Sequence, residues 1–286
     1  GNIIKITGMD PGISEGAKTS IADLTDENPN DGITPAVENA DGTVTVAVSM
    51  TYDADNRLMT YNGQTVEYDA VGNMTRGPLN GAMADFTYDC RNRLAKVKEA
   101  DGTITEYEYD AENIRTAVIS GGIKTVYTTD RESTYSQTLI KTEYEKNALG
   151  FYTEKIGKTT YTYGLGLISE RKDDNQAFYH HYNHIGSTTA ISDANGEVLF
   201  RFVYDTYGEL SDIQNAKRIS LKQSDELTEY RLAELAHAIG IDYLYNGQYG
   251  VETDSNGLYY MRARYYNQDI KRFINRDVVS GNITNS

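Results

Sequence analysis

Three of the four histidines lie in one short stretch, at His180, His181 and His184. Clustered imidazoles are the usual start of a zinc site. The surrounding FYHHYNHIG reads as a strand, however, and neighbours on a strand point to opposite faces. His180 and His181 are therefore poor joint ligands, and no metal is expected. Aspartates recur ahead of polar triplets, as at Asp53-Ala54-Asp55. They resemble loose calcium loops but lack the EF-hand spacing and its closing Glu. A carboxylate that caps a turn by accepting backbone N–H groups is the simpler use. Tyrosine rings can stack on sugars, but a sugar site needs a few exposed rings with converging polar groups. Here the tyrosines recur at strand period along the whole chain. No nucleophile elbow, phosphate loop or dinucleotide fingerprint is present, and no cofactor is expected.

The elements that carry these residues are strands. Tyr is used 24 times against 6 Phe and no Trp, with 25 Gly and only 4 Pro. Tyr is a strand former with an apolar body and a polar tip, and Gly-rich, Pro-poor turns suit hairpins. The formal charge of −15 argues against nucleic acid or an anionic membrane as the main partner. Cys90 is the only cysteine, which excludes an intrachain disulfide. No apolar run is long enough to span a bilayer, and the first residues show no signal-peptide pattern. A chain starting at Gly1 without Met is expected to be a piece of something longer, or a processed chain.

Residues 1–42 show no sustained period and read as a capping or linking segment. From Val44 to Tyr52 apolar and polar residues alternate strictly, as in a half-buried strand. A unit then recurs as MTYDADNRL, VEYDAVGNM, FTYDCRNRL and YEYDAENIR. Its aspartates are Asp53, Asp69, Asp89 and Asp110, at intervals of 16, 20 and 21 residues. That spacing is one β-hairpin per repeat and signals a stacked array over 43–210. In RLAKVKEADGTITEYEYD, Leu94 to Lys98 and Thr103 to Tyr109 read as two strands joined by a two-residue primed turn at Asp101-Gly102. The aromatic pairs Phe86/Tyr88, Tyr107/Tyr109, Tyr161/Tyr163, Phe202/Tyr204 and Tyr243/Tyr245 each share a strand face. Stacking of these rings between neighbouring hairpins is expected. A further hairpin reads from Phe178 to Phe202, turning at Asn195-Gly196.

Within 211–242 the period changes. Leu232, Leu235, Ala236 and Ile239 fall on one helical face, and a helix is predicted near 222–239. Ser224 is its expected N-cap, Asp225 and Glu226 lie in its first turn, and Gly240 is at C′. Such a helix covers an edge or end of a sheet. The last segment, 243–286, holds the densest aromatic stretch, YLYNGQYGVETDSNGLYYMRARYYNQDIKRFINRD. Its cations Arg262, Arg264, Lys271, Arg272 and Arg276 stand out in an acidic chain.

These residues carry a resemblance. The Y-D-x-x-(G/N)-(R/N) unit resembles the YD repeat of Rhs proteins. YHHYNHIGSTTAISDANGEVLFRFVYDTYGEL is similar to the family's Y-H-x-D-x-x-G-S … Y-D-x-x-G-E pattern, and NGLYYMRARYYNQDIKRFINRD to the Rhs-associated core signature. The likeness runs from about Met50 to Asp277. It implies an all-β fold in which consecutive hairpins wind into a curved or spiral sheet, here a partial shell with one inserted helix. It also implies a bacterial secreted or cell-surface protein whose shell encloses or carries a C-terminal effector domain, usually a polymorphic toxin. In many members an aspartyl-type self-cleavage frees that domain, and the positions that carry over are Arg264 and Asp277. The family's Asp-Pro is Asp277-Val278 here, and the chain stops at Ser286 before a second conserved Asp. This piece is therefore expected to be structural rather than enzymatic. A cell-surface carbohydrate-binding module built from the same repeats is the alternative.

Overall fold

A computed structural model describes residues 2–6, 36–38, 44–132, 136–217, 220–221 and 231–276. The chain divides into two compact units. The smaller is Gly1–Tyr68 with Thr75–Gly77, and the larger is Asp69–Met74 with Pro78–Ser286.

In the smaller unit the expected strand from Val44 to Tyr52 is broken at Ser49. Val44–Val48 lies between Asn2–Ile6 and Ala36–Glu38 in one three-stranded sheet, and Met50–Tyr52 starts another with Leu58–Tyr61 and Gln64–Thr65. The break has a local cause. The Asn62 side chain accepts the Ser49 N–H at 2.9 Å, taking a donor that would otherwise extend a ladder. The segment read as a linker thus supplies two strands.

The larger unit is built on an antiparallel sheet in which each strand lies beside its sequence neighbour, from Ala82–Tyr88 to Leu210–Asn215. The strand order is linear, so the sheet does not close on itself. Its longest pair, Gln137–Lys146 and Tyr152–Tyr163, falls where the repeat motif fades. The region read as one hairpin from Phe178 to Phe202 is three strands, Ala177–Tyr182, Thr188–Ser192 and Val198–Tyr204. The turn missed there is Asn183–Ser187, which closes with a 3.0 Å Asn183 N–H to Ser187 C=O bond.

That turn shows what the Asp of each repeat does. In Asp89–Arg93, the Asp89 N–H donates to the Arg93 carbonyl, the Asn92 N–H donates back to the Asp89 carbonyl, and Asn92 has φ of 61°. Oδ1 of Asp89 then accepts the N–H groups of Arg91 and Arg93 at 2.9 and 3.0 Å. The same two side-chain bonds recur at Asp53, Asp69, Asp110, Asp193 and Asp205, and from the amide oxygens of Asn147 and Asn183. A single left-handed residue after two right-handed ones is a type I turn with a G1 bulge. Glu99–Thr103 has this geometry too, with Gly102 at φ 91° and Asp101 not left-handed. The primed two-residue turn expected at Asp101-Gly102 is thereby corrected. True primed turns occur at Asn80-Gly81 and Gly121-Gly122, where both residues have positive φ.

In several repeats the tyrosine before the turn also has a role other than the expected ring stacking. Tyr109 Oη donates to the Leu94 carbonyl at 2.8 Å, Tyr182 to Leu167 at 2.8 Å, and Tyr204 to Thr188 at 2.6 Å. Each joins the end of one strand to the start of the strand before it. The Leu94–Lys98/Ile104–Tyr109 ladder begins only at Lys96↔Glu106. The hydroxyl therefore satisfies a carbonyl that the ladder leaves open.

The core lies on one face of this sheet. The aromatics three residues before the turns, Phe86, Tyr107, Tyr161 and Phe202, are buried there. Segment 231–276 covers them. Its four-stranded sheet runs Glu252–Thr253, Tyr259–Met261, Arg264–Asn267 and Arg272–Phe273. Tyr107 packs on Tyr265, Tyr161 on Tyr243 and Tyr204 on Tyr245, with ring centroids 5.1, 5.1 and 6.4 Å apart. The rings thus meet the covering segment.

Helix α1 (Leu232–Ala238) is the described part of the predicted helix. Ser224, Asp225 and Glu226 lie outside the described residues, and Leu210–Asn215, read as part of the helical insertion, is the sheet's last strand. Leu235, Ala236 and Ile241 join Ile191, Phe202, Leu210, Ile213 and Leu244 in a hydrophobic cluster, with Leu232 and Ile239 against it. The helix ends as expected at Gly240, φ 79°. The Gly240 N–H reaches the His237 carbonyl, and the Ile241 N–H reaches the Ala236 carbonyl, a Schellman ending.

Candidate functional site

Arg264 opens the third strand of the covering sheet, after a tight turn in which Arg262 has φ of 60°. Its guanidinium stacks on the Phe273 ring at 3.7 Å. Asp277 lies outside the described residues. At the last described residue, the Arg276 N–H donates to Asn73 Oδ1 at 3.0 Å. Strand alternation separates the histidines as read. His180 is buried with Nε2 3.4 Å from Glu170 Oε2, His181 Nε2 lies 2.8 Å from Ser192 Oγ on the exposed side, and His184 sits in the Asn183–Ser187 turn. Of the tyrosines considered as sugar platforms, Tyr61, Tyr107, Tyr161, Tyr243, Tyr259 and Tyr265 are buried.

The strongest electrostatic feature is one that sequence reading missed. Arg115 starts strand Arg115–Ser120 and its side chain is 1% exposed. Nη1 donates to both carboxylate oxygens of Asp254 at 2.8 and 2.9 Å. Nη2 makes a charge contact with Glu252 at 2.7 Å, off the line of a hydrogen bond. The Tyr260 ring lies 4.0 Å from the guanidinium carbon and the Tyr127 ring 5.2 Å. Tyr127 Oη donates to Glu252 at 2.6 Å, and Asn256 Nδ2 donates to Tyr107 Oη at 2.9 Å.

Burial alone would favour a neutral Arg115, but Asp254 and Glu252 outweigh it and hold the guanidinium well above its ordinary value. Asp254 is pushed up to about 6: burial raises it, Arg115 pulls it back, and the Glu252 charge raises it again. A signal for Arg115 was present. In Arg57-Leu58, Asn73-Met74, Arg93-Leu94 and Glu209-Leu210 the second residue after the left-handed turn position is a buried apolar one. In Ile114-Arg115 that position is Arg.

A second buried centre holds the helix end to the sheet. Lys141 pairs with Asp242, and His237 Nδ1 lies 2.7 Å from the other Asp242 oxygen. Burial would raise Asp242, but Lys141 and His237 more than offset that and hold its carboxyl well below the usual range. The Asp242 charge in turn holds His237 above its ordinary value. Glu170, wholly buried, sits between His180 and Lys172, whose Nζ is 3.0 Å from it.

An open array of antiparallel hairpins, many of them capped by an Asp or Asn turn and several tied by a tyrosine hydroxyl, with its apolar face covered by a charged and aromatic segment, defines a repeat β-shell protein. Residues 29–218 match the teneurin YD-shell family model, and the chain belongs to that family. Among curated proteins, the chain is 30% identical over 77% of its length to the tRNA3(Ser)-specific nuclease WapA of Bacillus spizizenii, and 29% identical over 77% to the tRNA nuclease WapA of Bacillus subtilis. It is 25% identical over 81% to the double-stranded DNA deaminase toxin A of Burkholderia cenocepacia. It spans only 8% of each WapA protein and 16% of the deaminase toxin. In fold it is similar to the TcdB2-TccC3-Cdc42 crystal structure, with TM-score 0.56 and 19% identity over 82% of this chain and 11% of that one. A Photorhabdus luminescens Tc holotoxin pore matches at TM-score 0.53 and 17% identity over 88% and 13%. Among the described residues no helix is long and apolar enough to cross a membrane.

Proposed function

We propose that this chain is the closing end of a YD shell in a secreted or surface-displayed bacterial protein, and that the shell encloses or carries a C-terminal toxin domain of the same parent chain. The observation behind this reading is the covering segment. Residues 231–276 bury a continuous face of the sheet through Arg115–Asp254, Lys141–Asp242 and the Tyr107–Tyr265 contact, so the chain leaves the array from a fixed, anchored point. The relatives named as nucleases and as a deaminase toxin are far longer than this chain, which leaves room for such a domain elsewhere. Arg264 and Asp277 are the proposed positions of a self-cleaving core in that parent. An aspartyl mechanism there needs a second carboxylate to share a proton with Asp277.

The test is the intact mass of the natural protein extended past Ser286, beside its Asp277→Asn variant. Two fragments from the first and one from the second support the reading. One uncut chain in both removes the self-cleaving role. A reading frame that stops shortly after Ser286 overturns the carriage of an effector.

A further inference from the structure

Lys141 and Asp242 bring a buried amine and a buried carboxyl together from distant parts of the chain. Lys141 lies on strand Gln137–Lys146, and Asp242 follows helix α1 in the covering segment, 101 residues later. The two side chains are 3% and 2% exposed, and Nζ touches Oδ2. Ile241 and Tyr243, on either side of Asp242, are buried. Where a buried pair needs only a charge, Arg serves, as at Arg115. A buried lysine differs in that it can give up a proton and become a nucleophile.

The surroundings supply the other parts of an acyl transfer. Glu143, two residues further on the same face of the strand, places Oε1 3.5 Å from Lys141 Nζ. Its side chain is 29% exposed, so it exchanges protons with water. Gly157, its partner on the next strand, leaves it room: a Cβ there would come within 2.7 Å of Glu143 Oε2. The second carboxyl oxygen, Asp242 Oδ1, faces His237 Nδ1 at 2.7 Å. A donor at that position meets the negative charge that develops when the carboxyl carbon is attacked. Lys141, Glu143, Gly157 and His237 also line a cavity of about 530 Å³, a way out for a released water.

We propose that Lys141 and Asp242 condense to an isopeptide bond, with Glu143 carrying the proton, so that the covering segment is tied covalently to the sheet. The pair starts as ammonium and carboxylate. A proton passes from Nζ to Oδ2 along their contact and leaves an amine and an acid, a change that burial favours because neither charge is hydrated there. The Nζ lone pair attacks Cγ, and the carbonyl electron pair moves onto Oδ1, facing His237. Glu143 takes a proton from Nζ and delivers it to the Oδ2 hydroxyl, which leaves as water while the Oδ1 carbonyl re-forms. One C–N bond forms, one C–O bond breaks, and no further reactant is needed. Amines and carboxylates do not condense in dilute water, but groups held in contact react as though present at about 10⁵–10⁸ M. The bond stands whether or not the parent carries an effector.

Mass spectrometry of the whole chain, folded and then denatured, tests this. The expected mass is that of the sequence less one water. A tryptic map is expected to give one branched peptide joining Lys141 to Asp242, with no cleavage after Lys141. Lys141→Arg keeps the charge but cannot form the amide, and is expected at full mass, as is Asp242→Ala. Glu143→Gln keeps the shape without the proton carrier and leaves more than half of the chain at full mass, a readout that an ion pair alone would not move. Full sequence mass for the folded, unsubstituted chain means an ion pair only and overturns the proposal, whether or not any variant folds. So does a water loss that persists in Lys141→Arg. Complete water loss in Glu143→Gln overturns the role given to Glu143.

Discussion

Replacing Arg115 by Leu separates charge from packing in the buried centre. Leu is the residue that the repeat places in this register at Leu58, Leu94 and Leu210, all buried. A leucine at 115 therefore suits the backbone, and a purely steric account predicts a change within about 1 kcal/mol. The electrostatic account predicts much more. Glu252 and Asp254, whose side chains are 7% and 4% exposed, lose the cation they share. Removing one member of a buried ion pair costs about 3–5 kcal/mol because the other charge stays behind. The chain has no Trp and 24 Tyr, so tyrosine fluorescence in a urea titration follows unfolding of the array as a whole.

The pH dependence has a definite sign. Asp254 is already raised by burial, in spite of Arg115, and loss of the guanidinium raises it further. A carboxyl whose folded value is raised contributes stability below its unfolded value near 4, and that contribution is lost as pH rises through the folded value. The Arg115→Leu deficit is therefore smallest near pH 4–5 and largest above about pH 7. Adding Glu252→Gln and Asp254→Asn to Arg115→Leu recovers most of it. A single variant within about 1 kcal/mol of the parent at pH 8 would refute the argument. So would a triple variant no more stable than the single.

Two further predictions concern the turns. Asp89→Ala removes the bonds to the N–H groups of Arg91 and Arg93 and the pair with Arg93, costing about 1–2 kcal/mol. Asp89→Asn costs less than half of that by the same urea titration, because Asn147 and Asn183 hold identical turns. Equal losses for the two would mean that charge rather than N–H capping matters. Gly196 and Gly208 share a left-handed φ, 83° and 88°. A Cβ on Gly196 meets nothing within 4 Å, whereas one on Gly208 comes within 2.5 Å of the Tyr245 ring. Gly196→Ala is expected to cost about 1–2 kcal/mol, and Gly208→Ala a further 1–3 kcal/mol. Thermal midpoints that do not separate the two would contradict the packing described around Tyr245.

The hairpin array was legible because its causes are local. Strand alternation and the Asp-x-x-(Asn/Gly) turn are both encoded within a few residues, as is the αL ending at Gly240. The turn at Asn183–Ser187 was missed because Asn stands there for the usual Asp, although its amide oxygen makes the same two bonds. The ring contacts were misassigned for a different reason. Period places Phe86, Tyr107 and Tyr161 on one face but does not say what covers that face. Nothing local reveals that Glu252 and Asp254 return to Arg115. Only the charged residue standing in a leucine's place hinted that a distant partner existed.

The sequence separations in this array imply an order of assembly. A repeat tyrosine reaches back 15 residues from Tyr109 to Leu94, and 16 from Tyr204 to Thr188. The Arg115–Asp254 contact spans 139 residues, and Arg276–Asn73 spans 203. Short loops close first and long ones late, and a ribosome delivers the chain from its N-terminus. Hairpins can therefore set their register one after another as they emerge, each templated by the last. Throughout that time their inner face, with a naked guanidinium at Arg115, stays open to water or to a chaperone. The covering strands act as a keystone that arrives last. Any domain encoded beyond them would emerge from the ribosome only as these strands lock onto the array.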